Sequence, residues 1–137
     1  MKPEQAIAQL LEADGTVSAA CGTRIYPGYA PQNAAYPFAV FGRESTDLDH
    51  HLLGTSGLYL VRIGITFYGT QRLALGVIAE AAKAALDTVN DRTTVASINI
   101  RRLWLEDMAE SQIELADGTG RPVHAISQTY SMHYKEA

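Results

Sequence analysis

The sequence has 137 residues, 47% of them hydrophobic, with 11 basic and 15 acidic side chains for a net charge of −4. This is the length of one domain with enough apolar content for a core, so a disordered chain is excluded. So is a uniformly basic surface for nucleic acid. Cys21 is the only cysteine, which excludes an intrachain disulfide and a cysteine-built zinc cluster.

Glu4 and Gln5 stand where a signal peptide would be apolar. No apolar run approaches the roughly 20 residues that a bilayer-spanning helix needs. The expectation is a soluble product made in a cytoplasm, forming one domain over residues 1–137.

Pro3 suits a first helical position and Glu4 the positive end of a helix dipole. Ala6, Ile7, Leu10 and Leu11 follow at helical spacing until Asp14-Gly15. A further helical turn carries Val17, Ala20 and Cys21 on one side before Gly22. Arg24-Ile25-Tyr26 is a short extended piece closed by Pro27-Gly28. Pro31, Asn33 and Pro37 keep the next stretch out of helix and out of a central ladder. A strand begins at Phe38, with Phe38, Val40 and Gly42 on one face and Ala39, Phe41 and Arg43 on the other.

The polar run "STDLDHHLLGTSG" reads as a loop leading into the clearest strand, "LYLVRIGITFYG". There Tyr59, Val61, Ile63, Ile65 and Phe67 alternate with Leu60, Arg62, Gly64 and Thr66, as a half-covered antiparallel sheet requires. A helix follows, with Thr70 as its expected N-cap. Its apolar face is Val77, Ile78, Ala81, Ala82, Ala85, Leu86 and Val89, opposite Glu80, Lys83 and Asp87. In "TVASINIRRLWLED" the alternation sets Ile98, Ile100 and Trp104 on one side, with Asn99 and Arg101 on the other. The last strand places Ile126, Tyr130, Met132 and Tyr134 on one face, with Ser127, Thr129 and Ser131 opposite. Between these strands, "MAESQIELADGTGRP" reads as an exposed ribbon, with Asp117-Gly118 as a hairpin signal. The predicted fold is α+β: a mainly antiparallel sheet of about four strands packed against a long helix, with an N-terminal helix.

Asp47, Asp49, His50 and His51 are credible ligand types, but adjacent histidines on an extended chain point to opposite sides. A solvated polar loop is the better reading. "GTSGL" lacks the second glycine of a nucleophile elbow and leads from loop to strand, the reverse of what an elbow needs. "DGTGRP" has no helix behind it to offer an N-terminus to phosphate. Arg101-Arg102 beside Trp104 is a weak nucleic-acid signal, and the odd spacing of His124 and His133 puts them on opposite faces. With no acid–base pair, nucleophile or cofactor motif, the chain reads as a non-enzyme.

"RIYP" at Arg24–Pro27, followed by "YPFAVF" at Tyr36–Phe41, is the most distinctive piece of a pattern that covers nearly the whole chain. The rest is the strand "LYLVRIGITFYG", an alanine-rich helix, a strand ending in "LED" and the final "AISQTYSMHY". This pattern resembles the tail-completion, or tail-terminator, proteins of long-tailed phages, prophages and gene transfer agents. The resemblance implies an α+β subunit of a homo-oligomeric ring, usually a hexamer, that caps the tail tube and joins it to the head connector. Implied partners are further copies, the major tail-tube protein and the head connector or completion protein, with DNA only as passing cargo and no membrane. It implies assembly in the bacterial host cytoplasm, then a place in the tail, and no metal, nucleotide or other cofactor.

On that reading Asp47, Asp49, His50, His51, Leu52 and Leu53 form a candidate protein interface. The leucines would be buried against another subunit or the tube, and the acids would line a channel that DNA passes without sticking. Ile113 and Leu115, alternating with Gln112 and Glu114, form a second candidate, either a strand for a neighbouring subunit or an ordinary hairpin tip. A small-molecule-binding α+β module and a different head–tail joining subunit remain open as alternatives.

Overall fold

The computed structural model describes residues 2–22, 24–29, 31, 35–51, 54–87, 90–95, 98–114 and 122–136. In chain order these form α1 (Lys2–Ala13), α2 (Gly15–Cys21), β1 (Ile25–Pro27), β2 (Phe38–His51), β3 (Gly54–Gly69), α3 (Arg72–Asp87), β4 (Asn90–Val95), β5 (Ile98–Glu114) and β6 (Pro122–Glu136). The described strands make one sheet in the order β1-β2-β3-β6-β5-β4. Only the β1–β2 pairing is parallel. The α+β class agrees with the sequence reading. The sheet has six strands where about four were expected, because short β1 and β4 add to the edges.

The alternation in β3 decides which face is covered. Val61, Ile63, Ile65 and Phe67 are fully buried beneath the helices, and Tyr59 is half-buried, stacked on Tyr134 with ring centroids 5.2 Å apart. The helical layer supplies Ala6, Ile7 and Leu11 from α1, Val17 and Cys21 from α2, and Leu75, Ile78, Ala79, Ala82 and Leu86 from α3. Truncating one of these large side chains, such as Ile65 to alanine, would cost about 2–5 kcal/mol through lost transfer energy and the cavity left behind.

Local hydrogen bonds shape the helical layer, and one of them ties it to the approach to β2. Asp14 caps α2, its Oδ2 accepting from the N–H groups of Thr16 and Val17 at 3.1 and 3.0 Å. Gly22 ends the same helix at φ +59, a left-handed conformation that glycine adopts without strain. Arg24 then donates to Ala20 O at 2.9 Å and to Pro37 O at 3.1 Å, holding the end of α2 against the approach to β2. The two signature pieces of sequence are thus neighbours in space: Ile25, Tyr26 and Pro27 pair with Ala39, Val40 and Phe41.

Three expectations need correction. The polar run after Arg43 is ladder rather than loop: β2 continues to His51 and β3 starts at Gly54, with bulges between Arg43 and Ser45 and between Leu48 and His50. Local polarity there hid a hairpin whose strands are paired through backbone groups. The helix α3 is also rotated from its predicted setting. Leu75 and Ala79 face inward while Val77 is 61% exposed, and Gln71, not Thr70, accepts the first helical bond, from Leu75 at 3.0 Å. Finally, bulges in β5 between Ile100 and Arg102 and between Leu105 and Asp107 break strict alternation. Each inserted residue reverses the face of everything after it. Leu103 is therefore buried beneath the helices, whereas Trp104 pairs with Ser131 on the open face.

Candidate assembly surfaces

The strands of this sheet differ in length, and the mismatch creates two arms. β6 pairs with β3 from Leu58 to Gly69, so Gly54 and Thr55 are paired only with β2 among the described residues. At the other end β3 stops opposite His124, while β5 and β6 continue through the pairs Ile113–Val123 and Glu114–Pro122. The two arms project from opposite ends of the sheet, separated by the length of β3, roughly 50 Å at 3.3 Å per residue.

The sequence-predicted interface residues divide between these arms. Asp47, His50 and His51 occupy ladder positions opposite Leu60, Thr55 and Gly54, and Asp49 lies in the irregular step between the Leu48–Tyr59 and His50–Thr55 pairs. Ile113 lies opposite Val123 within the same chain. Leu52, Leu53 and Leu115 lie outside the described residues. The structure therefore brings the Asp47–His51 group together on one arm and places Ile113 on the other.

The open face of the sheet carries side chains whose grouping sequence spacing did not reveal. At its centre Gly42, Gly64, Thr129 and Asp107 form one row across four strands. A Cβ on Gly64 would lie 2.7 Å from Glu44 Oε1, so the glycine gives that side chain its resting place over the sheet. Thr66 and Ser127 hydroxyls lie 3.3 Å apart in the adjacent row. Towards one end Phe38 stacks with Tyr36 and Tyr68 at 5.2 and 5.1 Å and meets Tyr26 edge-on at 6.0 Å.

Towards the other end lies a polar cluster around Glu106. Its Oε1 accepts from Trp104 Nε1 at 2.6 Å and from Ser131 Oγ at 2.9 Å. The Arg102 guanidinium sits 4.7 Å from the Trp104 ring centroid, and His133 meets that ring edge-on at 5.4 Å. The Ser131 hydroxyl and then the Trp104 indole hold the Glu106 carboxyl below its ordinary value, with smaller help from Arg62 and Arg102. Such a patch combines a cation, an indole and fixed donors, the composition of a recognition surface.

A groove of about 390 Å³ separates α3 from β5, lined by Leu73, Val77, Met108 and Ile126 among others. Leu73 is 87% exposed, and Arg72 bridges to Glu110 at 3.1 Å at one end of the groove. Among the described residues no three His, Cys, Asp or Glu side chains converge in a way that could hold a metal ion.

Comparison with known proteins bears on what those surfaces meet. The family model described as "Tail completion protein gp17" matches residues 5–119. No curated protein matches the sequence. Among solved structures, a chain of the virion of a native gene transfer agent particle superposes with a TM-score of 0.74 at 20% identity, over 95% of this chain and 92% of that one. At that identity the likeness is one of fold. The family match spans most of the 137 residues, from α1 through β5, and the chain belongs to the tail completion protein gp17 family.

Proposed function

We propose that this protein is a structural subunit of a phage-type tail that assembles as a ring, caps the tail tube and joins it to the head connector. The family match over residues 5–119 carries this reading. The fold shared with a chain of a gene transfer agent virion supports it. A joint between two different structures needs two different contact regions on one rigid body. The arms at opposite ends of the sheet supply such a pair, because paired strands hold them at a fixed separation.

In this reading the Asp47–Leu53 arm meets a neighbouring copy or the tube, with Asp47 and Asp49 turned to a channel that DNA crosses. The arm bearing Ile113 and Leu115 meets a second neighbour. Further copies, the tail-tube protein and the head connector are the partners, and assembly takes place in the host cytoplasm. The protein acts by shape and contact, not by catalysis.

Electron microscopy of particles made without this protein tests the proposal. The expected result is tails of uncontrolled length or tails separated from heads, restored by supplying the protein. Normal, joined tails would refute it. Native mass spectrometry of the protein with isolated tubes then reads ring size directly.

A further inference from the structure

Among the described residues, the outer edge of β5 is open over most of its length. Its ladder with β4 ends at Arg102, and no described strand pairs with that edge from Leu103 to Glu114. Open strand edges carry unmet backbone donors and acceptors, and they bind other strands unless something blocks them. Here two amides are occupied by carboxylates. Leu105 N–H donates to Asp87 Oδ1 at 3.3 Å, and Met108 N–H donates to Asp107 Oδ1 at 2.9 Å. Both are exposed, single hydrogen bonds that an incoming strand can replace.

Beside this edge the protein spends apolar surface on solvent. Leu73 and Val77 stand one helical turn apart on α3, 87% and 61% exposed, and with half-buried Met108 they line the groove against β5. A ridge of this kind next to an open edge fits β-strand addition, where backbone bonds give affinity and alternate side chains fill pockets.

Charge selects the occupant. The open stretch Leu103–Glu114 holds Glu106, Asp107, Glu110 and Glu114 and no basic residue. Beside it α3 adds Glu80 and Asp87 against Lys83 and an Arg72 already bridged to Glu110, while Arg62 and Arg102 lie near Glu106, Arg102 over the Trp104 ring. A second copy would offer the free edge of its own β2, whose sequence Gly42–His51 contains three acids and one arginine. Acids would then face acids, and displaced Asp87 and Asp107 would gain no partner. We propose that the outer edge of β5 accepts an extended segment of a different protein, alternating basic and apolar side chains, as an added strand. Its apolar residues meet Leu73, Val77 and Met108 on the α3 side, and its basic residues meet Glu106 and Asp107 on the open face. The proposal stands apart from ring formation and survives if the protein proves monomeric.

Titration of the full chain with three synthetic peptides tests it: alternating lysine–valine, alternating glutamate–valine, and lysine–valine N-methylated at every second amide. The first should bind about tenfold or more tightly than either control, because only it offers both charge and ladder bonds. Leu73→Asn with Val77→Asn should weaken that binding about tenfold while circular dichroism stays unchanged, since both residues are exposed. Equal binding by the methylated peptide, indifference to the double substitution, or no binding of the lysine–valine peptide would overturn the proposal. Concentration-dependent self-association abolished by the same double substitution would also overturn it, by assigning the surface to a second copy.

Discussion

Arg43 Nε lies 2.7 Å from Glu4 Oε1, joining the first turn of α1 to β2 at the residue just before its first bulge. Glu4 is 4% exposed, and the side chain of Arg43 is 31% exposed. The pair thus ties α1 to the middle of β2, opposite Ile63. A carboxylate so enclosed depends on its cation, because burying a lone charge is costly.

Arg43→Ala is expected to destabilise the fold by about 1–3 kcal/mol, since it leaves Glu4 enclosed without that partner. Glu4→Gln should cost less, and the double substitution less than the sum of the two single ones. Urea unfolding of the three variants measures the coupling. Strict additivity would show that the contact contributes nothing to stability.

Tyr130 and Gln128 form a second buried link. Tyr130 Oη donates to Gln128 Oε1 at 2.7 Å, and Gln128 Nε2 donates to Ala79 O of α3 at 2.9 Å. Tyr130→Phe should cost about 1–2 kcal/mol by leaving the amide oxygen unmet, and Gln128→Leu a similar amount by stranding the phenol. Combining them removes both ends of the bond and should cost less than the sum. Burial, then the charges of Asp87 and Glu80, push the Tyr130 phenol up. Its folded value exceeds its unfolded value, so its contribution is complete below about pH 10 and declines as pH rises beyond it. Ultraviolet titration should show this phenol ionising only with alkaline unfolding, a signal that Tyr130→Phe removes.

Trp104 is the only tryptophan, and its indole donates to Glu106, so its fluorescence reports that carboxyl. The Ser131 and Trp104 hydrogen bonds lower the Glu106 value. Any stabilisation by this group is therefore present above the ordinary carboxyl range and is lost as pH falls through the lowered folded value. Emission should change with a midpoint below about 4.3, the ordinary glutamate value. Glu106→Gln should abolish that transition, and Ser131→Ala should shift it upward. A midpoint unmoved by Ser131→Ala would separate the hydroxyl from the effect.

On the proposed assembly role, Leu52→Ser with Leu53→Ser is expected to weaken attachment to the ring or tail while the isolated protein melts as before. Native mass and tail length in complementation measure it. Deletion of Glu114–Arg121 asks the same of the other arm, where loss of oligomer with retained fold supports a contact between subunits. Unchanged assembly in both variants would remove the arms from the interface.

The covered side of this protein was legible in its sequence. Val61, Ile63, Ile65 and Phe67 alternate without interruption, and a strand with that pattern has one way to bury itself. Ile126, Tyr130, Met132 and Tyr134 repeat the message, although Gln128 shares their buried face and its polarity concealed it. The helix α3 was legible as a helix, but its rotation was not. Val77 and Leu75 are equally apolar, and only docking on the sheet decides which one turns inward.

What tertiary structure alone decided is how backbone pairing overrides local character. The bulge at Arg101 sets Trp104 beside Ser131 and Arg102, because one added residue in a ladder changes the face of all that follow. Polar residues 44–51 became a strand because β3 offered them hydrogen-bonding partners, a cause that lies in another segment of the chain. The sequence by itself determined which side chains leave water; the ladder determined where its polar groups gather and which strand edges stay open.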